Sequence, residues 1–177
     1  QMASSTVINK SMSFVWSIAI DKTNDSIVYA TALEKGLYKS IDCGKNWSKI
    51  IDSKGFAFWD ITISENSKKL WATASVSGDS LSKIFYSNDA GLSWNEMNDV
   101  PQIGLFQIEV IENPKEDILI VGGWDKGLFI LEESKWKKIK EVDFSTISEI
   151  IVEKNNLIIG TWGNGVYKIK NEWNALK

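Results

Sequence analysis

The feature that most constrains this chain of 177 residues is a unit that recurs four times. Each unit has an apolar run, a polar turn, a second apolar run ending in small residues, a Gly-aromatic step, and a polar hairpin closed by Trp. The closing residues Trp47, Trp94, Trp136 and Trp173 are separated by 47, 42 and 37 residues. Repeats of this length are supersecondary units that bury their hydrophobic faces against neighbouring copies.

The apolar runs inside each unit predict short antiparallel strands. They are rich in Ile, Val, Phe, Tyr and Trp, and turn-forming residues bound them, as at 27–30, 70–73 and 118–121. No stretch follows a helical period. Four such strands per repeat predict an all-β fold, namely a β-propeller built from four-stranded antiparallel blades.

The repeats divide the chain into blades at about 14–52, 56–100, 104–142 and 145–177 within a single domain of residues 1–177. Residues 4–13 resemble one more fourth strand, although the last unit already has its own at 173–176. Four blades plus an extra N-terminal strand predict an arc of a six- to eight-bladed ring, because open blade edges invite further pairing. A homodimer that completes the ring and a closed four-bladed ring are the alternatives.

Two absences exclude whole classes of site. The chain has no His, and all 20 basic residues are Lys, so Arg is absent as well. Imidazole metal ligands and Ser-His or Cys-His nucleophile pairs are therefore excluded. No planar guanidinium can clamp a carboxylate or phosphate. The single Cys43 has no companion ligand, so we expect no metal site and no cofactor.

The net charge and the length of the apolar runs bear on whether the chain binds nucleic acid or inserts into a membrane. The net charge of −3 and a pI near 5.1 do not predict nucleic-acid binding. The apolar runs are far shorter than the roughly 18 residues of a membrane span, so no membrane insertion is expected.

The hairpins of the first two units share the pattern S-x-D-x-G-x-x-W. Its members are Ser40, Asp42, Gly44 and Trp47 in one unit, and Ser87, Asp89, Gly91 and Trp94 in the next. The pattern resembles the Asp-box, or BNR repeat. The third and fourth units keep the Trp and lack the Asp.

The Asp-box chemistry predicts a structural role for both aspartates. A carboxylate can cap the backbone N–H groups of its own turn, Gly supplies a positive φ, and Trp packs between sheets. Catalysis or metal binding by Asp42 and Asp89 is the weaker alternative. In proteins that share the box, the resemblance implies a turn placed away from the binding site.

The resemblance implies a scaffold used by sialidases, xyloglucan hydrolases, sortilin-like receptors, photosystem II assembly-factor-like proteins and bacterial sensor ectodomains. The sialidase function is excluded, since that activity uses an Arg triad to hold the substrate carboxylate and this chain has no Arg. The amino-acid sequence of the first two units is most similar to the xyloglucan-hydrolase, sortilin and assembly-factor group.

Aromatic residues recur where a propeller exposes its loop face. Trp16, Trp59 and Phe106 stand at the entry to first strands, whereas Trp124 and Trp162 occupy equivalent loops between glycines. Exposed aromatic faces suit sugar rings or apolar side chains, so all five are candidate ligand-binding residues. Packing between blades is the alternative: we favour it for the first three and leave it open for the two loop tryptophans.

Carboxylates near the same face are Asp60, Asp125 and Glu149. A glycosidase needs two carboxylates across a cleft, although solvated loop charge is the commoner role of such residues. We therefore predict a non-enzymatic recognition or scaffold module, extracytoplasmic, that binds a glycan or protein. The alternatives are a glycoside hydrolase fragment acting on a polysaccharide and the sensory ectodomain of a bacterial signalling protein.

Overall fold

The fold is all-β. The computed structural model describes residues 14–76, 81–113, 116–143, 145–153 and 156–170, and the predicted extra strand at 4–13 and the strand near Trp173 lie outside them. In the described residues the only helices are two short 3-10 turns, Leu33–Lys35 and Lys140–Val142, and no helix is long and apolar enough to cross a membrane.

Four antiparallel sheets follow one another along the chain. The first contains β1 (Val15–Ile20), β2 (Val28–Ala32), β3 (Gly36–Ser40) and β4 (Ser48–Asp52), and the second β5 (Ala57–Ile63), β6 (Leu70–Ser75), β7 (Ser82–Ser87) and β8 (Asn95–Glu96). The third contains β9 (Leu105–Ile111), β10 (Ile118–Gly123), β11 (Leu128–Glu132) and β12 (Lys135–Ile139). The described part of the fourth contains β13 (Ile147–Glu153), β14 (Asn156–Thr161) and β15 (Val166–Lys170).

The strand order in every sheet is the chain order, so each sheet is a meander of hairpins. The first strands lie side by side, β1 against β5, β5 against β9, and β9 against β13. We call these four the inner strands and each sheet a blade, numbered 1 to 4. Blades stacked through their inner strands confirm the predicted propeller architecture.

Three hydrophobic cores fill the three spaces between consecutive blades. Tyr29 and Leu37 of blade 1 pack with Phe58 and Leu70 of blade 2. The core between blades 2 and 3 contains Trp71, Ile84, Leu105, Leu119 and Val121, and that between blades 3 and 4 contains Ile120, Leu128, Ile147 and Ile159. Each blade thus depends on its neighbour for burial, as expected for a repeat whose unit cannot form a core alone.

Blades 1 and 4, the first and last of the series, expose apolar side chains on strands that have a neighbouring blade on one side only. Ile18 and Ile20 of β1 are 61% and 55% exposed and Val166 of β15 is 74% exposed, whereas all seven residues of β5 are buried. Among the described residues, no strand pairing joins blade 4 to blade 1. The larger ring, the homodimer and the closed four-bladed ring all remain predictions.

The two S-x-D-x-G-x-x-W turns are built alike. Asp42 accepts hydrogen bonds from Ser40 Oγ at 2.8 Å and from Asn46 N at 2.8 Å, and Gly44 has a φ of +82°. Asp89 accepts from Ser87 Oγ at 2.8 Å and from Ser93 N at 2.9 Å. Both carboxylates therefore cap their own turns.

The tryptophans of the two turns differ. Trp47 Nε1 donates to Gly44 O at 2.7 Å, so the indole is tied to its own turn. The equivalent Trp94 Nε1 is buried and has no hydrogen-bond partner in the described part of the chain. Trp94 instead packs against the core between blades 1 and 2.

Changing Asp42 and Asp89 together to asparagine is expected to make stability less sensitive to acid. Hydrogen bonds, chiefly from Asn46 to Asp42 and from Ser93 to Asp89, lower the pKa of each carboxyl from 3.8 to about 2. A carboxyl with a lowered pKa stabilises the folded state above about pH 4, and the contribution is lost as the pH falls towards about 2. Urea-unfolding midpoints across this range should fall less steeply in the double variant. The exposed Asp25→Asn is the control, and an unchanged slope in the double variant would contradict the capping role.

Candidate functional site

The candidate site lies at the end of the blades opposite the Asp-containing turns. In blade 2, Ile63 pairs with Leu70, and Leu70 pairs with Ser87, where the second turn begins. Ala57 pairs with Ser75 at the other end of the same sheet. Each predicted aromatic residue is at this second end, because the inner strands begin there and the loops after β10 and β14 return there.

The five predicted aromatic residues converge into one group, which we call the aromatic cluster: Trp16, Trp59, Phe106, Trp124 and Trp162. Phe106 is at its centre, with ring centroids 5.3 Å from Trp16, 4.9 Å from Trp59 and Trp124, and 5.6 Å from Trp162. Most pairs meet edge to face, the arrangement that the ring quadrupoles favour. One cluster therefore joins all four blades at this end.

Exposure divides the cluster into a base and a rim. Phe106 is 1% and Trp59 8% exposed, and Trp59 Nε1 donates to Ser75 Oγ at 2.7 Å. Trp162 and Trp16 are 50% and 45% exposed. The sequence favoured packing between blades for Trp16, Trp59 and Phe106. Trp59 and Phe106 are indeed buried, whereas Trp16 is on the exposed rim with Trp162.

Backbone hydrogen bonds fix the two loop tryptophans. Trp124 N donates to Gly104 O at 3.3 Å and Trp162 N to Thr146 O at 3.0 Å, so each loop is tied to the residue before the inner strand of its own blade. Trp124 is half-buried, and its ring centroid lies 5.0 Å from that of Trp162. The two loop tryptophans are thus in ring contact within the cluster.

A cavity of about 350 Å³ opens beside the cluster. All four inner strands line it, and Trp16, Phe106 and Trp162 form its aromatic wall. Three carboxylates also line it: Asp60, Glu109 and Glu149. The cavity therefore places convergent carboxylates beside aromatic rings, and its accessible surface is mostly polar.

Asp60 is a buried bridge between three blades. Its Oδ1 accepts hydrogen bonds from Ser17 Oγ of blade 1 at 2.7 Å and from Ile61 N at 2.8 Å. Its Oδ2 accepts from Ile108 N of blade 3 at 2.9 Å. Burial raises the pKa of Asp60, and these three hydrogen bonds oppose that rise. Asp60 is thus engaged in holding the inner strands together at the cavity floor.

The other two predicted carboxylates occupy different places. Glu149 is exposed in the cavity wall, where burial of part of the side chain and the charge of Asp60 raise its pKa. Asp125 is in the loop after β10 and does not line the cavity, and its Oδ1 accepts from Thr146 Oγ1 at 2.5 Å. The structure therefore brings Asp60 and Glu149 together and leaves Asp125 apart.

Sequence reasoning missed Gln107 and Glu109, which line the same cavity. Gln107 follows Phe106 as Asp60 follows Trp59, so aligning the inner strands would have placed it at the cavity. Glu109 is two residues further along β9, and Thr62 Oγ1 donates to it at 3.3 Å. Among the described residues, no group of three or more His, Cys, Asp or Glu has a geometry that could hold a metal ion.

Changing Glu109 to glutamine is expected to stabilise the protein above neutral pH. Burial, with a contribution from the charge of Asp60, raises the pKa of Glu109 from 4.5 to about 7, and hydrogen bonds from Val110 N and Thr62, with the charge of Lys22, oppose the rise. The unfolded chain therefore loses this proton first, so the free energy of unfolding falls as the pH rises from about 4.5 to 7, by about 3 kcal/mol in all.

Urea unfolding near pH 4.5 and pH 8 checks this expectation. The Gln variant should gain stability relative to the wild type at the higher pH and little at the lower. Glu153→Gln, an exposed site at the far end of β13, supplies the same charge change without burial. An equal gain at both pH values would contradict a buried, late-ionising Glu109.

The fold and this site define the class: blades of a β-propeller whose loop end carries an aromatic cluster beside an acidic cavity. No family model matches the sequence, and no curated protein matches it. Solved structures do match. A GH74 xyloglucanase from Xanthomonas campestris has a TM-score of 0.67 and 16% identity, with 87% of this chain and 28% of that chain covered.

YCF48 from Cyanidioschyzon merolae has a TM-score of 0.60 and 12% identity, with 90% of this chain and 57% of that chain covered. YCF48 bound to D1 peptide has a TM-score of 0.64 and 10% identity, with 90% and 52% covered. The chain thus spans about a quarter of the xyloglucanase and just over half of YCF48. At these identities the likeness shows the fold, and the function must be argued from the site.

Proposed function

We propose that this chain is a non-enzymatic recognition or scaffold module that binds a protein or glycan partner at the aromatic end of the propeller. The observation that carries the proposal is the pair of half-exposed indoles, Trp16 and Trp162, on a cavity that all four inner strands line. Aromatic anchors that keep exposed faces beside a concave site supply most of the binding energy in typical recognition surfaces.

The position of the site in the fold supports the same proposal. The exposed rings rest on a buried base, Trp59 and Phe106, so they are held in place before any partner arrives. A rim that is already ordered loses little side-chain entropy on binding. Among the similar structures, YCF48 is solved with a bound D1 peptide, which supports a peptide or protein as the partner.

We also propose that the two turns around Asp42 and Asp89 are Asp-box repeats. The support is their shared hydrogen-bonding pattern, in which Ser and Asp side chains close a turn with Gly at a positive φ. Both turns lie at the end of the blades away from the aromatic cluster, which suits a structural role and leaves the loop end free for binding.

Trp162→Ala is expected to weaken binding of a peptide or oligosaccharide ligand by about ten-fold or more, because truncating an aromatic anchor removes contact area that no other residue replaces. Its melting temperature should stay close to that of the wild type, since half of the Trp162 side chain is exposed. Calorimetric titration with panels of oligosaccharides and of peptides, followed by thermal unfolding of each variant, provides both values.

Leu92→Ala is the matched control. Leu92 is a large apolar residue that is 83% exposed in the second Asp-containing turn, at the opposite end of the blades. Its loss should leave affinity unchanged. Equal affinity of the wild type and Trp162→Ala, or unfolding of Trp162→Ala, would overturn the proposed binding role.

A glycoside hydrolase is the second candidate, favoured by the carboxylates that share one cavity. Asp60 and Glu149 both line it, and the pKa of Glu109 near 7 is a value that suits a general acid at neutral pH. Xyloglucan turnover by the wild type that is lost in Glu149→Gln would establish this candidate in place of the binding module. The absence of turnover with retained binding would exclude it.

A further inference from the structure

The wall of the cavity is both aromatic and acidic. Rings of Trp16, Phe106 and Trp162 stand beside the carboxylates of Asp60, Glu109 and Glu149, and none of the described residues that line the cavity is a lysine. Aromatic faces attract cations through the negative face of the ring quadrupole, and carboxylates attract them directly. Both components of the wall therefore favour the same sign of charge in a ligand.

Among the described residues, no lysine forms an ion pair with Asp60, Glu109 or Glu149, and Lys22 acts on Glu109 only as a nearby charge. The ion pairs in the described part of the chain involve other acidic residues, as when Lys22 pairs with Glu65 and Lys69 with Asp117. Asp60 is held by three hydrogen bonds from its neighbours, and Glu149 keeps an exposed carboxylate at the rim. A positively charged group that entered the cavity would meet partners already in place.

We infer that the partner bound at the aromatic end is a protein that presents a basic side chain to this cavity, the charge meeting Glu149 and the stem lying on the rim indoles. This inference rests on the proposed function and deepens it by naming the chemistry of the ligand. A basic side chain is suited to such a site because its aliphatic stem packs on apolar surface while its charged end seeks acidic groups. A neutral sugar would use the indoles and leave the carboxylates uncompensated.

Two short peptides that differ in one charge test the inference. The probes are acetyl-Gly-Lys-Gly-amide and its norleucine counterpart, which keeps the stem and lacks the ammonium group. Binding is followed by the indole N–H NMR signals of Trp16 and Trp162 during titration. The lysine peptide is expected to shift both signals saturably, with an affinity about ten-fold higher than that of the norleucine peptide.

Two charge variants locate the interaction. Glu149→Gln should bring the affinity for the lysine peptide down to that for the norleucine peptide. Glu153→Gln, on the same strand but outside the cavity, should leave the affinity unchanged. Both sites are exposed, so neither change is expected to affect folding.

The possible failures are distinguishable. Equal affinities for the two peptides, or equal losses in the two variants, would overturn the inference while leaving the aromatic site intact. Shifts produced by a xyloglucan oligosaccharide and by neither peptide would overturn it in favour of a glycan ligand. If Trp162→Ala bound every ligand as tightly as the wild type, the proposed function itself would fall.

Discussion

Replacing Asp60 with alanine is expected to lower the free energy of unfolding by about 3 kcal/mol, since it leaves several buried donors without an acceptor. The donors are Ser17 Oγ and the backbone N–H groups of Ile61 and Ile108, and they come from three blades. Ile61 follows a break in the β5–β6 register, where the side chain of Asp60 supplies the acceptor for its N–H group. The inner strands should therefore loosen at the cavity floor.

Urea unfolding of Asp60→Ala and of Asp125→Ala measures this effect against a matched change. Asp125 is exposed, and in the described part of the chain its side chain accepts one hydrogen bond, from Thr146, so its loss should cost less than about 1 kcal/mol. A loss as small for Asp60→Ala would mean that Asp60 does not hold the blades together. In that event its burial in the cavity would need a functional explanation.

Gly122→Ala is expected to lower the free energy of unfolding by about 2 kcal/mol or more, because overpacking a tight interior displaces backbone and side chains. A Cβ at Gly122 would lie 2.6 Å from Ile147 Cγ2 and 2.7 Å from Ile147 Cγ1. Ile147 is fully buried at the start of the blade 4 inner strand. The added methyl group would therefore push blades 3 and 4 apart.

Gly160→Ala provides the control at the equivalent position of blade 4. There the nearest atom to an added Cβ is Ser148 Oγ at 3.1 Å, the end of a small side chain that can rotate. Its stability should remain within about 1 kcal/mol of the wild type. Equal effects of the two glycine changes, compared by thermal and urea unfolding, would contradict the close packing of blade 4 on blade 3.

The recurring unit of apolar runs and polar turns was enough to predict the strands and their order. Runs such as 70–73 and 118–121 fall within β6 and β10, because short β-branched and aromatic runs between turn residues have few other folded solutions. The equivalence of Trp124 and Trp162, read from spacing alone, corresponds to ring contact in the structure. Local pattern and global fold agree in this chain, as in most natural repeats.

The site itself was harder to predict, because it depends on how closely the inner strands approach. Nothing in the local sequence of Trp16 distinguishes it from Trp59, yet Trp16 is on the rim and Trp59 is buried at the base. From the sequence alone Asp60 is expected to be a solvated charge. In the structure it is buried, and Ile108 N of blade 3 donates a hydrogen bond to it. Glu109 was missed since its role arises from burial between blades, which a single strand does not reveal.

The proposed binding site is tested most directly by the change in the indole N–H NMR signals when a peptide or oligosaccharide that binds the protein is added. Four tryptophans mark the two ends of the blades: Trp16 and Trp162 are on the rim of the aromatic cluster, and Trp47 and Trp94 are in the Asp-containing turns. Binding at the aromatic end predicts shifts at Trp16 and Trp162 and none at Trp47 and Trp94. Shifts confined to Trp47 and Trp94 would place the binding surface at the other end of the propeller and contradict the proposal.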